Sequence, residues 1–277
     1  MSSKKPAVVE AVDRTVIEVD GADAASWLNG LVTCDVAKIA KGEAAYGLIV
    51  NTKGRILADV HVAERAGGLS LVVPSSELES LLVYLNHYLV MEDVVLETSA
   101  KKVAYLLFDE GDDASLPKVS FLGETARLFI GPREELEKLA DGRAKLSPVE
   151  IEALRLRRAA PKYGVDFGGD TYPQEAGLEK NAVSFNKGCY LGQEVVCMLE
   201  LRGQVRRKLA LLRVAGDALP EKGVEVSSAG TKLGVITSSA ATDAGTLAIA
   251  MIKVSSAEPG TVLDVSGRAA EVIQPVA

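Results

Sequence analysis

The sequence predicts an α+β protein: two related strand-and-helix layers forming the body, followed by a small C-terminal β-barrel. Three observations carry that expectation. At 277 residues the chain exceeds one ordinary core. Segments of strand character alternate with amphipathic stretches as far as residue 160. From Leu209 onward short β-rich runs separated by glycine-containing turns replace any helical pattern. The expected division is 1–204 for the body, itself two interlocked subdomains, and 205–277 for the barrel.

Taken in order, Ala7 to Val19 reads as a strand, with the β-branched residues Val16, Ile17 and Val19, and Gly21 breaks it. Asp23 to Leu28 is alanine-rich, and Trp27, Leu28 and Leu31 fall at helical spacing, so a short helix with Trp27 in the core follows. Ala44 to Val50 and Arg55 to Ala63 form a hairpin through Asn51-Thr52-Lys53-Gly54. Asp59 lies between Ala58 and Val60 in its second strand, where the pattern alone places it on the solvent face. Leu69 to Pro74 is a further strand. Ser75 and Ser76 then open a helix with Leu78, Leu81, Leu82, Leu85 and Leu89 on one face, and Ser76 and Glu79 stand at capping-box spacing.

Strands follow at Val94 to Thr98, Val103 to Phe108 and Arg127 to Ile130, with the acidic run Asp109 to Asp113 as a solvated loop lacking EF-hand spacing. Gly131-Pro132 opens a charged helix through Ala140. Ser147-Pro148-Val149-Glu150 opens another, with proline at its first position and a capping-box glutamate. That helix ends basic at Arg155, Arg157 and Arg158, which suits its C-terminus. Val195 to Leu199 reads as a buried strand that takes Cys197 with it, and Arg202 to Lys208 as a charged linker. Strands are expected at 209–214, 224–227, 233–237, 246–252, 261–265 and 270–273.

Composition narrows the function classes. Charged residues at 25% and hydrophobic ones at 48% describe a folded chain. A net charge of −7 disfavours a general hold on phosphate backbones or anionic membranes, so neither stable nucleic-acid binding nor a membrane partner is expected. Cys34, Cys189 and Cys197 are too scattered for a disulfide framework and no pair has C-x-x-C spacing, which fits a reducing cytoplasm. No apolar run of signal-peptide or transmembrane length occurs, and two histidines make a histidine-rich metal site an unsuitable reading.

The densest chemistry lies in Lys187-Gly188-Cys189-Tyr190-Leu191-Gly192-Gln193-Glu194, which gathers a cation, a thiol, a phenol, an amide and a carboxylate. A thiolate is a nucleophile or metal ligand, and nearby positive charge lowers its pKa. In an extended segment Lys187 and Cys189 would share a face, with Tyr190 opposite. The same residues also fit a turn shaped by Gly188 and Gly192 around a buried, inert cysteine.

This stretch resembles the K-G-C-Y-x-G-Q-E signature of the YgfZ-type folate-binding proteins, relatives of the glycine-cleavage T-protein. Tyr163 to Phe167 and Pro173-Gln174-Glu175-Ala176 precede it in the order that family shows. Trp27 to Val36 is similar to its F-L-Q-G-x-x-T-x-D-V segment, and Gly54 to Asp59 to its G-R-x-L-x-D segment. One departure stands out. The family's R-x-E-x-G-x-P pattern is met by Arg155, but Arg157 occupies the glutamate position and Ala159 the glycine.

The resemblance implies a T-protein-like body with a C-terminal barrel, binding tetrahydrofolate or a derivative, with Asp59 as a pterin contact; Arg157, where the chain departs from the pattern, is suited instead to the glutamate tail of a folate or another anion. It implies a factor for assembly or repair of iron–sulfur enzymes, and through them tRNA modification, with iron–sulfur client or assembly proteins as partners. Cys189 would be the reactive thiol or a transient ligand and Lys187 the depressor of its pKa. Gly188, Tyr190, Gly192, Gln193 and Glu194 would shape the loop. A lone thiolate cannot hold a cluster that takes four ligands, so no stable metal is expected. The alternatives are a tetrahydrofolate-dependent aminomethyltransferase, the form any enzymatic activity would take, and a catalytically silent scaffold.

Overall fold

Period-two alternation in the first third of the chain builds a sheet with one face reserved for helices. In order, the elements are β1 (Ala7–Glu10), β2 (Arg14–Asp20), α1 (Ala24–Asn29), β3 (Ala44–Val50), β4 (Ile56–Arg65), β5 (Gly68–Pro74), α2 (Leu78–His87), β6 (Val95–Ser99), β7 (Lys102–Leu107), β8 (Lys118–Phe121), β9 (Glu124–Gly131), α3 (Arg133–Ala140) and β10 (Ala144–Lys145). Then come α4 (Pro148–Arg157), α5 (Pro173–Ala176), α6 (Glu179–Ala182) and α7 (Gln193–Arg202). The last strands are β11 (Arg207–Val214), β12 (Glu225–Ser228), β13 (Thr231–Thr242), β14 (Gly245–Lys253), β15 (Val262–Val265) and β16 (Arg268–Pro275). The structure is a computed structural model and describes residues 6–108, 116–203 and 205–276. The acidic run 109–113 and Gln204 of the basic stretch lie outside the described residues.

Contacts divide the chain into two compact units. The first comprises Met1–Leu146 with Ala182–Gln193, the second Ser147–Asn181 with Glu194–Ala277. In the first unit one antiparallel sheet has the order β3-β4-β5-β2-β6 and a second the order β10-β1-β7-β9-β8, with only β1 and β10 parallel. On the first sheet Ile17, Val19, Ala58, Val60, Val62, Leu69 and Leu71 pack against Trp27 and Leu28 of α1 and Leu81 and Leu85 of α2. Each such buried leucine contributes about 2 kcal/mol of transfer free energy. On the second sheet Val8, Ala104, Leu106 and Phe129 close over Leu136 of α3.

The second unit holds a closed barrel, β11-β14-β13-β12-β15-β16. Its interior is filled by alternate residues, among them Leu212, Val226, Ile236, Ala250, Leu263 and Val272, so it is a packed core and not a channel. Closure removes the exposed edges that short strands would otherwise present. The α+β body with a C-terminal barrel expected from the sequence is therefore the observed fold class.

Several local expectations change. Val195 to Leu199 is not a strand: it lies in α7, with Val196 buried, and Cys197 is partly exposed on that helix. The apolar run is too short for periodicity to decide, and the glutamates at 194 and 200 favour a helix. The Ser76–Glu79 capping box does not form, because Ser75–Glu77 is a 3-10 turn and Ser76 bonds Glu77 instead. The Ser147–Glu150 box does form. No helix among the described residues is long and apolar enough to cross a membrane.

Candidate functional site

The signature stretch is fastened by backbone and side chain to two earlier segments of its own unit. Its approach is set by Thr33, whose hydroxyl donates to the Ala182 carbonyl at 2.5 Å and accepts from the Leu48 amide at 2.8 Å. The Ser184 amide donates to the Thr33 carbonyl at 2.9 Å, and the Leu191 amide to the Gly30 carbonyl at 3.0 Å. Gln193 closes the end as a turn, its side-chain oxygen accepting from the Tyr190 amide at 3.2 Å and its own amide donating to the Tyr190 carbonyl. Glu194 is exposed in the first turn of α7, where a carboxylate suits the positive end of the helix.

The two glycines have different roles. Gly192 adopts φ +80°, and a Cβ there would stand 2.3 Å from the Asn51 carbonyl oxygen. No side chain fits. Gly188 has open space where its Cβ would be and an ordinary φ.

Lys187 and Cys189 have different surroundings. The Lys187 ammonium donates to the carbonyls of Asn29 at 2.6 Å, Val32 at 2.7 Å and Cys34 at 2.7 Å, and lies 5.2 Å from the centre of the Tyr190 ring. Tyr190 is buried beneath it, so the cation faces the phenol ring that alternation placed opposite. Burial draws the ammonium down to about 8, yet three acceptors favour its charged form. Cys189 is exposed. Cys34 is buried against Gly47, where an added Cβ would stand 2.6 Å from its sulfur, and burial pushes its thiol up to about 11. It is therefore a neutral packing residue at ordinary pH.

Asp59 is only 5% exposed, which corrects the solvent-facing reading of its strand. It sits on the face of β4 opposite Ala58, Val60 and Val62. There Arg14 takes both its oxygens, Nη1 to Oδ1 at 2.6 Å and Nη2 to Oδ2 at 2.9 Å, and the Tyr46 hydroxyl donates to Oδ2 at 3.1 Å. His61, two residues on and hence on the same face, stands 5.0 Å from the Tyr46 ring centre. Its Nδ1 meets the Tyr105 hydroxyl at 3.1 Å and its Nε2 the Ser120 carbonyl at 3.3 Å. A carbonyl can only accept, so Nε2 carries the proton and Nδ1 receives Tyr105.

Burial and then the Arg14 cation draw His61 down to about 4, leaving it neutral. Burial and the Asp59 carboxylate raise Tyr46 well above the usual phenol range. Burial opposes the Arg14 charge, but Asp59 outweighs it and the guanidinium is held more firmly protonated. Arg14 and Tyr46, which bond the Asp59 carboxylate, both lie outside the signature stretch.

Sequence reasoning missed Arg14, Tyr46 and Tyr105. Arg14 pairs with a carboxylate 45 residues away, which only the sheet register brings to it. His61 alone was detectable, from its two-residue offset to Asp59.

In the second unit Arg157 is exposed at the end of α4 and pairs with Asp243 at 2.9 Å. Its neighbour Arg155 is fully buried. It holds Asp166 at 2.6 Å, Glu152 at 2.7 Å and the Ala160 carbonyl at 3.0 Å, while Thr237 and Ser238 of the barrel donate to the other Asp166 oxygen. Glu175 and Asp170 hold Arg207 in the same unit. The two residues of the R-x-E pattern thus serve different ends: Arg155 is structural, Arg157 faces water. Among the described residues no group of three or more His, Cys, Asp or Glu could hold a metal ion.

Comparisons with known proteins agree with this architecture. Residues 4–108 match the model of the GCVT N-terminal domain family. Over 78% of this chain and 74% of the other, the sequence is 29% identical to the tRNA-modifying protein YgfZ of Aliivibrio fischeri (strain MJ11). It is 27% identical to the Yersinia enterocolitica protein of that name over 81% and 76%, and 24% identical to that of Klebsiella pneumoniae over 95% and 90%. The crystal structure of the glycine cleavage system aminomethyltransferase T from Bartonella henselae superposes with a TM-score of 0.86, covering 99% of this chain and 86% of that one. At 18% identity this last likeness establishes the fold alone. The likeness thus extends over most of the chain: residues 4–108 are similar to the GCVT N-terminal domain, and about three quarters or more of the sequence is similar to proteins named tRNA-modifying protein YgfZ.

Proposed function

We propose that this chain is a folate-binding protein of the YgfZ type that supports assembly or repair of iron–sulfur enzymes, and through them tRNA modification, with Cys189 as its working thiol. One observation carries the reading. Of the three cysteines, Cys189 alone is exposed, and it stands on a stretch that Thr33, Gly30 and the Asn51 turn fix in place. A restrained, accessible thiol can lose its proton and serve as one transient ligand to an iron species, with the partner supplying the remaining ligands and taking over its position by ligand exchange.

Support for tetrahydrofolate comes from the family and the fold. Asp59 is buried and already accepts from Arg14 at both oxygens and from Tyr46 at one, so a pterin N–H would meet only what is left of its acceptor capacity. Arg157 fits an anionic group better: it is exposed, and a folate tail would compete only with the exposed Asp243 for its guanidinium. No chemical step is therefore assigned to the pterin.

Calorimetric titration with tetrahydrofolate, wild type beside Asp59→Ala and Arg157→Glu, tests the ligand. Saturable binding by wild type, weakened in Arg157→Glu, is expected. No binding by wild type removes folate from the reading. For the thiol, Cys189→Ser should fail to restore iron–sulfur enzyme activity in a strain lacking this chain.

A further inference from the structure

Lys187 turns its charged end away from solvent and onto backbone. The carbonyl oxygens of Asn29, Val32 and Cys34 lie within 2.7 Å of its nitrogen and use all three N–H bonds of an ammonium; the Tyr190 ring closes a further side. Asn29 is the last residue of α1, so its carbonyl is one that a helix leaves without an internal partner. Few charges stand near. Asp35 is within electrostatic reach but pairs with Lys38 at 2.8 Å, and the buried Cys34 thiol is neutral. The enclosure is made of dipoles, as carbonyl sites for monovalent cations are.

We propose that these carbonyls form a cation socket with Lys187 as its built-in occupant: a positioning residue that pins residues 182–193 onto residues 29–34, rather than a group that ionises Cys189. The Ala182 and Ser184 bonds to Thr33 stand on one side of the ammonium along the chain and the Leu191 to Gly30 bond on the other, so the cation fastens the stretch between them. Without the lysine side chain, the same three oxygens have the chemistry to take a free ammonium or potassium ion. The inference rests on reading Cys189 as the working thiol, because its place on the surface is what the socket secures.

Two variants separate charge from volume. Lys187→Ala empties the socket, and Lys187→Met fills it without charge. In the full chain, amide exchange over residues 29–34 and 184–191 and the pH profile of Cys189 alkylation are followed in ammonium, potassium or tetramethylammonium chloride at equal ionic strength. Tetramethylammonium is too large to enter and serves as the inert cation. Both variants should lose about tenfold or more of amide protection in tetramethylammonium. Ammonium or potassium should restore it in Lys187→Ala and not in Lys187→Met, and the alkylation midpoint should stay at its wild-type value. A Lys187→Ala protein that folds only in ammonium or potassium is also the expected result. A midpoint raised by about one pH unit would overturn the proposal in favour of a charge acting on the thiol. Protection indifferent to variant and cation would overturn it too. None of these readouts uses activity, so an inessential Cys189 would be recognised separately.

Discussion

Arg14 and Asp59 meet end on, guanidinium edge against carboxylate edge, at 2.6 and 2.9 Å, with both side chains largely withdrawn from water. A bidentate pair of this kind is strong in geometry but costly in desolvation. Its removal is therefore asymmetric. Arg14→Met should destabilise the protein by about 3–5 kcal/mol, because it leaves a buried carboxylate unpaired. Arg14→Met combined with Asp59→Leu should cost clearly less than the two single changes added together. Urea denaturation of the three variants measures this coupling, and additive losses would contradict it.

His61 gives the fold a defined acid limit. Its folded value of about 4 lies below the ordinary 6.5, so the neutral ring is the form the fold favours. The stability it confers is complete above pH 6.5 and is lost as pH falls toward about 4, up to about 3 kcal/mol in all. His61→Gln keeps an amide between the Tyr105 hydroxyl and the Ser120 carbonyl but cannot titrate. Its stability should fall less steeply than wild type across that window. An unchanged slope would place the acid sensitivity elsewhere.

Gly192→Ala should be costly for two separate reasons. The residue holds φ +80°, and its added methyl would enter the Asn51 carbonyl. A loss of about 2 kcal/mol or more is expected, together with faster amide exchange around Leu191. Gly188→Ala, with open space and ordinary φ, should be nearly silent. Thermal unfolding of the pair distinguishes a steric requirement from a general need for glycine in the stretch.

In the second unit, Asp166→Ala takes from the fully buried Arg155 its one fully buried carboxylate partner, leaving it Glu152 and the Ala160 carbonyl, and removes the acceptor that Thr237 and Ser238 of the barrel share. A cost of about 3–5 kcal/mol is expected. Arg157→Ala, which loses only an exposed pair with Asp243, should cost less than about 1 kcal/mol. Two arginines, two residues apart, thus differ severalfold in consequence.

What could be read in advance follows from how local each signal is. The barrel strands from Leu209, the α2 leucine stripe and the Ser147–Glu150 cap depend on neighbours within a few residues, and all three were legible. The α7 segment was misread because Val195 to Leu199 is apolar all round and offers no period to count. Asp59 was misplaced on the solvent face because its partner Arg14 is 45 residues away and reaches it only through the β2–β5–β4 register. The ammonium of Lys187 was expected beside Cys189, two residues along, yet its acceptors are carbonyls more than 150 residues earlier. Backbone acceptors carry no mark in a sequence. The chemistry of the site was visible from residue types; which groups face one another was not.

The central claim, that Cys189 is the working thiol, is tested most directly by complementation with single Cys→Ser variants in a strain lacking this chain. Iron–sulfur enzyme activity is normalised to the amount of each variant present. The account expects Cys189→Ser to lose most of the restored activity. Cys197→Ser, partly exposed on α7, and Cys34→Ser, buried against Gly47, should retain it once abundance is corrected. Full activity with Cys189→Ser would contradict the account, whatever the other two variants do.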